Sequence, residues 1–186
     1  MGGYNYLVSS LPALSLAAPP PFSPADFRFH CQGVLSKGDL AELDLVLAGR
    51  AAEGRSAFAR AWAGADAQIR NTAARIRGQK LGVEVKGLLR SHPGYAVWLD
   101  KEVGDALAKA SPLDREQGLD GARWKVVEDL ARQDATGLPA VLAFAVRLML
   151  AARWAAFQEE PGRAQLEKLV SQLEENAAQT GAADFK

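Results

Sequence analysis

The chain is poor in the residues that most often bind metals or act as nucleophiles. Its 186 residues include one cysteine and two histidines. A single cysteine cannot form an internal disulfide, and we interpret Cys31 as a buried thiol. His30 and His92 lie far apart in the sequence, so neither belongs to the clustered ligands that a zinc site needs. The sequence therefore predicts no metal site and no bound cofactor.

Catalytic groups are also scarce. His30 and Cys31 are adjacent, but neighbouring residues of a helix project about 100° apart, and no acid follows that could orient a nucleophile and base pair. The carboxylate pairs at 159–160 and 174–175 fall at predicted helix ends among other charges, where they are typical of a solvated surface. We expect no catalytic residues and a protein that is not an enzyme.

The chain carries no excess of either charge. With 22 basic and 22 acidic side chains the formal net charge is zero, which argues against binding nucleic acid by bulk electrostatics. The distribution is uneven, since nine basic and only three acidic residues lie between Arg50 and Arg90. That region includes a group of arginines that we treat as candidate partner-binding residues, with an ordinary solvated face as the alternative: Arg60, Arg70, Arg75 and Arg77.

Signals for secretion or membrane insertion are missing. No lysine or arginine precedes the apolar residues 7–18, so the positive region of a signal peptide is lacking. The longest apolar stretch, residues 138–157, has about the length of a membrane span but contains Arg147 and Arg153. We interpret it as a central core helix and expect the protein to be cytoplasmic.

Strand patterns are absent, whereas helical spacing is frequent. The clearest case is residues 55–79, where apolar residues three or four positions apart form one stripe: Phe58, Trp62, Ala65, Ile69, Ala73 and Ile76. Further helices are predicted over residues 24–35, 36–49, 95–110, 112–133, 139–160 and 164–176. Residues 83–90 are predicted to form a short helix or an irregular link. The sequence thus indicates an all-α fold with about seven helices.

The first twelve residues are unusually apolar for a chain terminus. Tyr4, Tyr6, Leu7, Val8 and Leu11 indicate a segment docked on the body of the protein, because a loose terminus gains nothing from such residues. Prolines at 19–21 follow as a stiff connector. We therefore expect a docked segment and connector over residues 1–22, one helical domain over 23–176, and a flexible tail over 177–186.

Three stretches carry a resemblance to a known family. The opening, Tyr-Asn-Tyr-Leu-Val-Ser-Ser-Leu-Pro over residues 4–12, resembles that of DUF2764, a bacterial family of unknown function whose genes lie among those of V-type ATPase subunits. Two further stretches are similar to other segments of the same family: residues 75–82, and residues 147–157 followed by Gly162, Leu166, Leu169 and Val170. The Tyr-x-Tyr start also looks like that of the C (or d) protein that couples the rotor of V/A-type ATPases to the membrane ring.

The resemblance implies a non-catalytic helical subunit or assembly factor of a bacterial V-type ATPase. Such a protein would contact the central stalk or the membrane ring, as the rotor-coupling protein does, and would reach the membrane only through other subunits. Tyr4 and Tyr6 join the four arginines as candidate partner-binding residues. The alternative is a free-standing helical protein-binding module unrelated to the ATPase.

Overall fold

The computed structural model describes residues 4–157 and Gln172. That part of the chain contains seven α-helices and no β-strand, which confirms the all-α prediction. The helices are α1 (Asn5–Ser10), α2 (Pro24–Gln32), α3 (Lys37–Leu47), α4 (Ala57–Leu81), α5 (Val97–Ala108), α6 (Pro112–Ala131) and α7 (Leu138–Ala156). Short 3₁₀ helices at Ala51–Glu53 and Lys86–Leu88 lie in two of the connections.

The helices differ from the predicted set at both ends of the chain. The N-terminal segment, predicted only to be docked, forms the short helix α1. The predicted helix over residues 164–176 and the predicted tail over 177–186 lie outside the described residues, apart from Gln172. Between these ends every long predicted helix is present, and residues 83–90 form a link containing one 3₁₀ helix.

Serine caps determine where four of the helices begin. Ser23, Ser36, Ser56 and Ser111 each accept a hydrogen bond from the backbone N–H three residues further on. This bond satisfies one of the donors that a helix start leaves unpaired. At α2 and α6 a proline follows the serine directly, where its fixed φ suits the first turn.

Helix α7 lies at the centre of the larger of two apolar clusters. Ten of its 19 residues are buried, and it packs against α6, α3 and α2. The rings of Phe27 on α2 and Phe144 on α7 lie 4.8 Å apart. Among the described helices α7 alone is long and apolar enough to cross a membrane, and 56% of its most apolar window is buried inside the protein. The second cluster joins α4, α5 and α6.

The N-terminal segment packs on the body of the protein from Tyr4 onwards. Leu7 is buried within the α7 cluster, and Val8 and Leu11 pack against it. The Tyr4 hydroxyl donates a hydrogen bond to the Asp39 carboxylate and accepts one from the Ser36 N–H, so it ties the segment to the start of α3. Short as it is, α1 is therefore stabilised by tertiary contacts, because a helix of this length is not stable alone.

Candidate functional site

The structure separates the four candidate arginines of α4. All four side chains are exposed. Since each residue of a helix turns by about 100°, Arg75 projects about 140° away from Arg70 and about 160° away from Arg77. Arg75 lies instead near Tyr95 and Asp100, close enough to act on both electrostatically. Arg70 and Arg77 line one groove, whereas Arg60 lines a cleft further along the helix.

The basic groove is the surface between α4, the 83–88 link that follows it and the start of α6. It encloses about 410 Å³. Ile69, Ala73 and Leu119 form its buried floor. Its walls combine the arginines at 70 and 77 with three large apolar side chains that are mostly exposed: Leu81 at 76%, Val83 at 58% and Leu88 at 72%. Exposed apolar groups next to cations are typical of an interaction surface.

A glycine turn holds the 83–88 link against α4. Gly82 adopts a left-handed φ of 66° and ends the helix, while the Val83 N–H donates to the Gly78 carbonyl over 2.9 Å. Together with the hydrogen bond from the Gly82 N–H to the Gln79 carbonyl, this forms the Schellman arrangement common at helix ends. A β-carbon at Gly78 would lie 2.5 Å from a methyl carbon of Val85, so only glycine lets the link pack this closely. The apolar wall of the groove therefore depends on Gly78.

Arg70 and Arg77 each form an ion pair on the protein surface. Arg70 Nε lies 2.7 Å from an oxygen of Asp66, and Arg77 Nη2 lies 3.1 Å from an oxygen of Glu116. Both arginine side chains are more than half exposed, and pairs of this kind contribute about 0–1 kcal/mol. A guanidinium has five N–H donors, so most donors of each arginine stay available to a partner carboxylate.

A second concave surface, the arginine cleft, lies between α4, α6, α7 and the 90–93 link. It encloses about 610 Å³. Five arginines line it, together with two aspartates and His92: Arg60, Arg70, Arg90, Arg123 and Arg153, with Asp66 and Asp120. Arg70 and Arg123 line both the cleft and the basic groove.

The two aspartates are shared by three of these arginines, Arg70, Arg123 and Arg153, in one network. Arg123 donates through Nε to Asp66 and through Nη1 to Asp120, each over 2.9 Å. Asp120 is fully buried and also accepts from Arg153 Nη2 and from Trp154 Nε1. Burial works to lower the pKa of Arg123, but the two carboxylates outweigh it and raise that pKa. The network thus fixes a charged guanidinium at the back of the cleft.

Buried polar residues of α4 position the link that carries Arg90. The Asn71 side chain donates to the Arg90 carbonyl over 2.7 Å and accepts from the Arg90 N–H over 2.9 Å. The Gln68 side chain makes the same two-way contact with Ala96. These amides replace the backbone partners that an irregular segment lacks, so residues 90–96 are held firmly along the helix.

Of the other residues that the sequence singled out, Cys31 and Tyr4 lie within the packed protein and Tyr6 lies on its surface. Burial raises the pKa of the Cys31 thiol to about 11, so it stays protonated and unreactive near neutral pH. Tyr4 is half-buried and hydrogen-bonded within the protein, whereas Tyr6 is 88% exposed. Within residues 4–157, no group of three or more His, Cys, Asp or Glu side chains is arranged to hold a metal ion.

Sequence reasoning did not identify the arginine network or its supports. Asn71 lies opposite the apolar stripe of α4, where polar residues usually face solvent, so the sequence gives no sign that it is buried. Asp120 lies four and seven residues before Trp124 and Val127, on the apolar stripe of α6, and this position is a usable sign of burial. The spacing of Asp120 and Arg123, three residues apart on one helix, is another. The separation of Arg75 from Arg70 and Arg77 also follows from helix geometry alone.

Part of the chain matches a family model. Residues 101–177 match the family described as "Protein of unknown function (DUF2764)". The matched residues include most of α5 and all of α6 and α7, and they cover less than half of the chain. The match supports the resemblance to DUF2764. Neither the comparison with curated proteins nor the comparison with solved structures gives a match.

Proposed function

We propose that the protein is a non-catalytic helical subunit or assembly factor of a bacterial V-type ATPase. In this role it binds an acidic, amphipathic segment of another ATPase protein through the basic groove. The link to the ATPase is supported by the resemblance to DUF2764, whose genes lie among those of the ATPase subunits. The partner belongs to the central stalk or the membrane ring, and the protein reaches the membrane from the cytoplasm through it.

The observation that carries the binding role is the mixed chemistry of the basic groove. Leu81, Val83 and Leu88 offer apolar surface that nothing covers within the described residues. Arg70 and Arg77 stand beside them with unused donors. A partner helix with one apolar face and one acidic edge satisfies both features, because apolar burial gives affinity and charge complementarity fixes the orientation and speeds association.

Charge reversal in the groove tests this function. In a pull-down from native cells, the double variant Arg77→Glu/Leu88→Glu should lose the ATPase subunits that the unchanged chain recovers. Both side chains are mostly exposed, so helicity and melting should change little. Arg75→Glu is the matched control, since it reverses an exposed arginine of the same helix outside the groove.

Three results would contradict the proposal. The double variant could recover the ATPase subunits as well as the unchanged chain does, which would make the groove idle. Arg75→Glu could lose them equally, which would show a general charge effect. Recovery of a different protein, lost only in the groove variant, would instead support the alternative of a free-standing binding module.

A further inference from the structure

We propose that the arginine cleft binds a small molecule that carries a phosphate group. This proposal does not depend on the partner-binding role of the basic groove, although Arg70 and Arg123 line both surfaces. The residues lining the cleft carry a surplus of three positive charges, since five arginines face two aspartates. Arginine is the side chain best suited to phosphate, because its planar fork of donors matches two phosphate oxygens at once.

Two of the arginines have no carboxylate partner among the described residues. Within the described residues, Arg60 donates through Nη1 to the backbone carbonyl of Arg55, and the hydrogen bonds of Arg90 are made by its backbone. The backbone of Arg90 nevertheless has a defined position, because the Asn71 side chain binds both its carbonyl and its N–H. The cleft thus presents two guanidinium groups without carboxylate partners among the described residues, and the backbone that carries one of them is held in place before a ligand binds.

His92 also lines the cleft. Its Nδ1 atom is shielded from solvent and has no hydrogen-bond partner within the described part of the chain. An atom that solvent does not reach is not open to a ligand in the cleft, so the contacts to phosphate fall to the arginines.

The size and walls of the cleft fit an organic phosphate. A volume of about 610 Å³ falls within the range of small-molecule sites. Trp62 and Met149 contribute apolar wall beside the arginines, where a ring or chain of the ligand can pack. The back of the cleft is held by Arg123, which its two aspartates keep in place and charged.

Isothermal titration of the full chain with pyrophosphate, and separately with ATP without added magnesium, tests the site. We expect saturable binding at one site per chain. The double variant Arg60→Gln/Arg90→Gln should bind at least about tenfold more weakly, since it removes two charged contacts. The control Arg75→Gln and the groove variant Arg77→Glu/Leu88→Glu should bind normally, so this test is independent of the partner-binding proposal.

The two probes distinguish the sources of the phosphate. Equal affinity for pyrophosphate and ATP would support recognition of the phosphate groups alone, and tighter binding of ATP would support an organic body packed against Trp62. The proposal is overturned if neither probe binds saturably, if the double variant binds as tightly as the unchanged chain, or if Arg75→Gln weakens binding as much as the double variant does. Circular dichroism of each variant confirms that the fold is retained.

Discussion

Removal of the Asp120 carboxylate should destabilise the protein strongly. Asp120 is fully buried and accepts hydrogen bonds from Arg123, Arg153 and Trp154. In Asp120→Ala, Arg123 keeps only Asp66 as a partner while its side chain remains 15% exposed. Breaking a buried pair in this way costs about 3–5 kcal/mol. Arg153 is 43% exposed, so water can solvate its guanidinium once the carboxylate is gone. We therefore expect Asp120→Ala to lower the free energy of unfolding by about 3 kcal/mol.

Urea unfolding followed by the helical circular dichroism signal measures this loss. The matched control is Asp129→Ala on the same helix, because Asp129 is 56% exposed and pairs only with Arg132. The control should lose less than about 1 kcal/mol. Asp120→Asn, which keeps the shape and one acceptor oxygen, should fall between the two. The reasoning is refuted if Asp120→Ala costs less than about 1 kcal/mol or no more than the control.

Three further results are expected. Cys31 should resist alkylation in the folded protein at about pH 8 and react once the protein is unfolded, because its raised pKa, about 11, leaves almost no thiolate; rapid native labelling would contradict its burial. Leu7→Ala should lower the free energy of unfolding by about 2 kcal/mol, against less than about 0.5 kcal/mol for the exposed Tyr6→Ala, and equal losses would mean that α1 is not docked. Arg147→Met should leave stability unchanged or raise it, because Arg147 Nε is buried without a hydrogen-bond partner among the described residues and burial lowers the pKa of the side chain. Its guanidinium lies 5.7 Å from the centre of the Trp124 ring, and a loss above about 2 kcal/mol, more than that contact supplies, would refute this.

The helical architecture could be predicted from local signals. The capping serines at 23, 36 and 111 mark helix starts by their own chemistry, and the apolar stripe of α4 follows from its spacing. The nearly continuous apolar character of α7 indicated a core helix, and the structure places it at the centre of the larger cluster. Each of these signals depends on residues within one element.

The candidate sites depend on contacts between elements and could not be predicted in the same way. Asn71 is polar and lies on an amphipathic helix, yet it is buried because it binds the Arg90 backbone nineteen residues away. Asp120 is buried because Arg153 of another helix reaches it. Hydrophobic periodicity treats Asn71 as solvent-facing. It places Asp120 on the apolar stripe of α6, but it does not show which side chains pair with the buried carboxylate. Helix α1 was missed because tertiary packing stabilises it, and its start lacks a side-chain cap.

Site-specific photo-crosslinking in native cells tests the central claim most directly. A photoreactive phenylalanine analogue replaces Val83, which lies in the wall of the basic groove and is 58% exposed. The control places the same group at Phe29, which is 72% exposed and lies on α2, away from the groove. We predict a covalent adduct with a V-type ATPase protein from position 83 and none from position 29. An adduct with no ATPase protein at position 83, or equal adducts from both positions, would contradict the account.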